Sequence, residues 1–191
     1  YMHRQALIAS RGYPAPAALR AFERALLLAD EIGDVSLELP ALYGQWAFHY
    51  ISGQRAEELV ERFAQLAEAP DESGPRLVGI RMLGMECFQR GRFAESLALM
   101  RKALAGYDPV AHRDVALRFG HDPRTAAAGH EALNLWHLGF PDQGVIDRRK
   151  GATDDRRNGA SFSRVKRAVS GLKNGLILLV WSGVFLWRPE V

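Results

Sequence analysis

IRMLGMECFQRGRFAESLALMRKALAGYD, residues 80–108, reads as two amphipathic helices joined by a tight turn. Ile80, Leu83 and Cys87 recur at spacings of three and four and so line one stripe of the first helix. Gly84 lies within that stripe, where the missing side chain lets a second helix approach closely. Gly91 ends the first helix, because it is free to adopt the left-handed backbone that such a turn needs. Phe93, Leu97, Met100 and Leu104 form the facing stripe of the second. Ser96, also small, falls where it can lie opposite Gly84. Asp108 and Pro109 are expected to stop the second helix, since proline cannot continue the hydrogen-bond ladder and disfavours helix in the residue before it.

A small pair facing across a hairpin, a turn glycine with an aromatic two residues later and a closing proline resemble the tetratricopeptide pattern of about 34 residues. The competing interpretation is an ordinary helical hairpin in an unrelated bundle. The same punctuation recurs, with Gly53 in ISGQRAEEL and Gly139 in HLGFPDQG each standing between an aromatic-rich helix and a polar restart. Gly53 and Gly91 are 38 residues apart and Gly91 and Gly139 are 48 apart, so the repeats are degenerate. The first copy has Trp46 where a small residue is expected, which implies wider helix spacing there. The last interval carries the insertion YDPVAHRDVALRFGHDP, expected to form a loop with a short helix covering the groove between repeats. Upstream, Leu19, Phe22, Leu26 and Ala29 mark a helix ending at Gly33, the second half of a hairpin whose first half is incomplete. The expected fold is all-α, a tetratricopeptide-like right-handed solenoid of helix hairpins over residues 1–143, with an irregular tail over 144–191.

With 191 residues, 48% of them hydrophobic, and a formal net charge of +3, the chain can bury one sizeable core and belongs with soluble globular proteins. Its single cysteine, Cys87, forms no internal disulfide, suits a reducing cytoplasm and reads as a small buried hydrophobe. No signal peptide opens the chain, which begins on Tyr1 and reads as an excerpt of a longer protein at least as well as a product initiated at Met2.

The blocks IASRGYPAPAALRAFERALLLADEIGD, LPALYGQWAFHYISGQ, the stretch from MLGMECF to GHDP, and ALNLWHLGFPDQ are similar to the C-terminal helical-repeat region of large bacterial signalling proteins. Those proteins join an adenylate/guanylate cyclase or another output domain to an AAA-like signal-transduction ATPase and then to tetratricopeptide-like repeats. The resemblance spans roughly residues 5 to 143 and implies a module that senses or scaffolds while distant domains hold the active sites. No GxxxxGK[ST] phosphate loop is present, nor a strand-borne pair of aspartates for metal, so no enzymatic activity and no cofactor are expected of this chain. The expected partner is a protein or peptide, or other domains of the parent.

His112, His121, His130 and His137 lie in one region with Asp114, Asp122 and Glu131, a donor set that zinc accepts. The spacing argues against a metal site, because HEALN places Asn134 where HExxH needs its second histidine. If a solenoid of this kind binds on its concave face, Trp46, His49, Tyr50 and Trp136 are the candidate contacts. The alternative, favoured on the spacing, is that they are core.

After Gln143 the character changes. Residues 143–191 carry ten Lys/Arg against four Asp/Glu, and an apolar stripe resumes only at Phe162, before the uncharged run LILLVWSGVFLW. Twelve uncharged residues fall short of the roughly 20 a bilayer core requires. A segment read in a shifted frame is favoured, ahead of a terminal helix packed on the solenoid and of a membrane-surface anchor through residues 162–187, which would make the chain a membrane-associated adaptor. The RRK and RR clusters come without a nucleic-acid reading motif, so nucleic acid is not the expected partner.

Overall fold

A computed structural model of the chain describes residues 16–68 and 73–144. Its elements are α1 (Pro16–Ile32), α2 (Val35–Ile51), α3 (Glu57–Leu66), α4 (Ser73–Gln89), α5 (Phe93–Ala105), α6 (Val115–Phe119) and α7 (Pro123–His137), with no strand among the described residues. The tail, from the basic segment to the apolar run at 176–187, lies outside the described residues.

One local device is used four times. At Gly91 (φ +72°) the glycine N–H donates to Phe88 O at 2.9 Å and the Arg92 N–H to Cys87 O at 2.9 Å, the paired bonds of a Schellman cap. The same pair occurs at Gly33 (to Asp30 O and Ala29 O), Gly53 (to Tyr50 O and His49 O) and Gly139 (to Trp136 O and Leu135 O), all with positive φ. Each cap satisfies two carbonyls that a helix end leaves free and turns the chain into the next element. Two of the N-terminal ends use side chains instead: Asp34 accepts from Ser36 N at 2.9 Å to open α2, and Asp122 accepts from Thr125 N at 2.9 Å to open α7.

Successive helices pack on one another, α1 on α2, α2 on α3, α3 on α4 and α4 on α5, and α7 then packs on both α5 and α4. Where helices approach most closely, one member is small. A Cβ on Gly44 would stand 2.2 Å from the Phe22 ring, across the α1–α2 contact. One on Gly84 would stand 2.6 Å from Met100 Cε and 3.2 Å from Leu99 Cβ, across the α4–α5 contact and one turn from fully buried Ser96. Polar ties reinforce the stack: Arg62 of α3 bridges Asp30 of α1 (3.2 Å) and Glu38 of α2 (3.1 Å), and Gln89 Nε2 donates to Tyr50 O at 2.8 Å.

Two sequence expectations require correction. Leu83 does not line the hairpin contact but is 47% exposed. The helix is pressed by α3, α5 and α7 at once, so Val78, Met82, Met85, Cys87 and Phe88 are all buried, and the residual outward strip runs through Arg76, half-buried Ile80 and Leu83. An apolar stripe marks the inside only when a helix has a polar outside to contrast with it. Pro109 does not end α5, which stops at Ala105, three residues before Asp108. Pro109 belongs instead to a turn in which Asp108 Oδ1 accepts from Val110 N (2.7 Å) and Ala111 N (2.8 Å), bonds that hold the Asp108 carboxyl below its usual range.

The insertion between α5 and α7 covers the stack. In α6, Val115 and Phe119 are buried, with Phe119 edge-on to Tyr43 (5.5 Å) and Phe63 (5.8 Å). Pro40 inside α2 cannot donate to Ser36 O, and that freed carbonyl accepts from Arg118 Nη2 at 3.3 Å.

Candidate functional site

Three helices and one loop converge on a buried polar box. From α2 come Tyr43, Trp46 and Tyr50, at spacings that put them on one face; from α4 come Arg81, Met85 and Glu86; from α7 comes His130; and His121 descends from the loop after α6. At its centre the Arg81 guanidinium, 2% exposed, lies 5.5 Å from the Tyr43 ring centroid and 5.9 Å from that of Trp46. Arg81 Nη2 donates to the Tyr43 hydroxyl at 3.0 Å and Nη1 to Met85 Sδ at 3.3 Å, while Nε has no acceptor. Having accepted from Arg81, the Tyr43 hydroxyl donates onward to His121 Nε2 at 2.8 Å. Trp46 Nε1 donates to Glu86 Oε1 at 2.9 Å. Tyr50 donates to His130 Nε2 at 3.3 Å, because His130 Nδ1–H is engaged on Ala126 O at 3.0 Å.

Burial dominates the electrostatics. It pushes His130 down to about 4, against the Ala126 bond and with a lesser push from Arg81. It lowers His121 strongly, helped by Arg81 and His130. Both imidazoles are therefore neutral at pH 7. Burial also raises the Tyr50 hydroxyl and the Glu86 carboxyl, the latter against the Trp46 bond, and it raises the Cys87 thiol.

The four candidates for partner contact do not form one surface: Trp46 and Tyr50 are core, the alternative the spacing favours, whereas Trp136 is not. Trp46 and Tyr50 are buried in the box, at 1% and 2% exposure, because α2 is enclosed on nearly every side. His49 sits about 100° round the helix from Tyr50, where its Nδ1 pairs with Gln54 Oε1 at 2.6 Å. Trp136 is exposed on α7. Phe93 is half-buried, stacked on His137 at 4.4 Å.

Among the described residues no group of three His, Cys, Asp or Glu could hold a metal ion. Each histidine of the region is otherwise placed. His112 presents the one arrangement that looks catalytic, with Nε2 2.7 Å from Ser73 Oγ. Its tautomer is the wrong one: Asp108 N–H donates to His112 Nδ1 at 2.8 Å, so Nε2 carries the proton and donates to Ser73 instead of taking its hydrogen. Ser96 Oγ accepts from Asn134 Nδ2 at 2.8 Å and is buried in the α5–α7 contact. The box itself offers a cation, aromatic faces and neutral imidazoles, groups suited to holding a ligand.

Sequence reasoning missed the box. The signal was present in α4, where Arg81 and Glu86 interrupt the apolar run VGIRMLGMECF. A charge at such a position is either outward or paired with something specific.

Fold and site together define an all-helical protein of packed hairpins, with no helix among the described residues long and apolar enough to cross a membrane. No family model, no curated protein and no solved structure matches the chain.

Proposed function

We propose that the chain is a non-catalytic interaction or sensor module of the tetratricopeptide-like kind, a right-handed solenoid of hairpins. Its parent, on the sequence resemblance, is a bacterial signalling protein joining a nucleotide cyclase to an AAA-like ATPase. The supporting observation is the Schellman cap at Gly33, Gly53, Gly91 and Gly139, one local helix-ending design repeated at unequal spacing. The small pair across α4 and α5 supports the same reading, since close helix approach is what such hairpins share. The Ser73–His112 contact is in the wrong tautomer for a nucleophile. The module's partners are proteins, peptides or neighbouring domains of the parent, with exposed Trp136 and Phe140 available at the α7 end.

The purified chain is expected to give a helical circular-dichroism spectrum, a cooperative melt and no conversion of ATP or GTP to cyclic nucleotide or to phosphate. Turnover that co-purifies with the chain and survives repeated chromatography would overturn the proposal.

A further inference from the structure

The Arg81 box carries an imbalance that the scaffold role does not explain. A guanidinium does not lose its proton in a protein, so a buried one needs a counter-charge or a full set of acceptors. Arg81 has neither among the described residues: none of their ion pairs includes it, two of its five N–H groups meet Tyr43 and Met85, and Nε meets nothing. The nearest acid on its own helix, Glu86, is turned to Trp46 Nε1. Two aromatic faces offset part of the cost, but cation–π contact supplies no hydrogen-bond acceptor.

The group that occupies the acceptor position is His121, a neutral imidazole receiving the Tyr43 hydroxyl at 2.8 Å. An imidazole there accepts one hydrogen bond and brings no negative charge. A planar or tetrahedral oxyanion in the same place would accept from Tyr43 and from the guanidinium together, the bidentate geometry for which arginine is suited. The route in is local. His121 sits between α6, which is only five residues long, and the start of α7, directly after Gly120, whose φ of +88° breaks the helix. Lifting this segment uncovers Phe119 and His121 while leaving the long helices packed, and short, peripheral elements open at the least cost.

We propose that the box is a closed binding site for a small oxyanion, a carboxylate or a phosphate, which displaces the His121 imidazole and is held by Arg81 and the Tyr43 hydroxyl. The neutral histidines add no second positive charge beside Arg81 in the empty state, and the aromatic walls exclude water around the ion pair. The site does not depend on the repeat reading, and its failure would leave the scaffold role untouched.

The test is a thermal melt of the full chain in sodium phosphate and in sodium acetate, each against sodium chloride at matched ionic strength. One of the two anions is expected to raise the melting temperature by about 3–6 °C at roughly ten times its dissociation constant. The anion that does so identifies the ligand as phosphate or carboxylate. Arg81→Met should abolish the shift. His121→Ala vacates the proposed position without touching the guanidinium and should enlarge the shift, so it decides the matter even if Arg81→Met does not fold. No shift with either anion in both the wild type and His121→Ala, or an equal shift in a folded Arg81→Met, would overturn the proposal.

Discussion

Replacing Gly84 by leucine tests the close approach of α4 and α5. A Cβ at this position already falls 2.6 Å from Met100 Cε and 3.2 Å from Leu99 Cβ, with Ser96 O at 3.6 Å. The Met100 methyl is the end of a flexible side chain and can swing away, whereas Leu99 Cβ is fixed to the backbone of α5. Alanine therefore asks only for a small adjustment, and the gain of about 1 kcal/mol in helix propensity over glycine roughly offsets it. Leucine adds three further carbons with nowhere to go, because Met100 is fully buried and Ser96 is tied to Asn134. Overpacking of this kind costs about 1–3 kcal/mol, and a side chain this much larger belongs at the upper end. After the propensity gain the net loss is about 2 kcal/mol, equivalent to a fall of roughly 4–8 °C in melting temperature for a chain of this size. Circular dichroism at the helical band during heating measures it. Equal melting temperatures for wild type and Gly84→Leu, with Gly84→Ala as the matched control, would mean that α4 and α5 do not meet through this residue.

Three further outcomes follow from the same structure. Gly91→Ala meets no atom within 4 Å, so its cost is the left-handed backbone alone, about 1–2 kcal/mol; a melt as stable as wild type would refute the Schellman assignment. His130 is neutral in the fold down to about pH 4 but takes a proton near 6.5 when unfolded, so the unfolded state binds more protons between those values. The His130 share of the stability lost as pH drops from about 6.5 to about 4 is about 3 kcal/mol, measured by urea unfolding, and His130→Asn should remove that share while the contribution of His121, which is lowered in the same direction, persists. Trp46→Phe removes the donor to Glu86 and leaves a buried carboxyl oxygen unpaired, which should cost about 1–3 kcal/mol in the same unfolding experiment.

How much was legible in the chain depends on the range of each interaction. The four turn glycines could be read directly, because a Schellman cap involves only residues within five positions of one another. Gly84 and Ser96 could be read as small residues on adjoining helices for the same reason. Leu83 was misread because the reading of one hairpin lacks the other helices that press on α4, so every apolar position looked equally inward. Pro109 reads as a helix stop, but α5 ends at its Gly106 cap, ahead of the Asp108 turn that contains the proline. Trp46 and Tyr50 of α2 read as core or as partner contacts, and whether they meet water or Arg81 is not decided within their own helix.

From its sequence alone the chain specified helices, their capped ends and the hairpin order, since propensity, glycine turns and capping side chains act over a few residues. Only the tertiary structure decided what those helices enclose. Tyr43, Arg81 and His121 are 38 and 40 residues apart in turn, and no local rule relates them. They meet because the insertion folds α6 back over α2 and α4, which turns a surface of ordinary aromatic and charged side chains into a buried box whose cation has no ion pair among the described residues and no acceptor for its Nε.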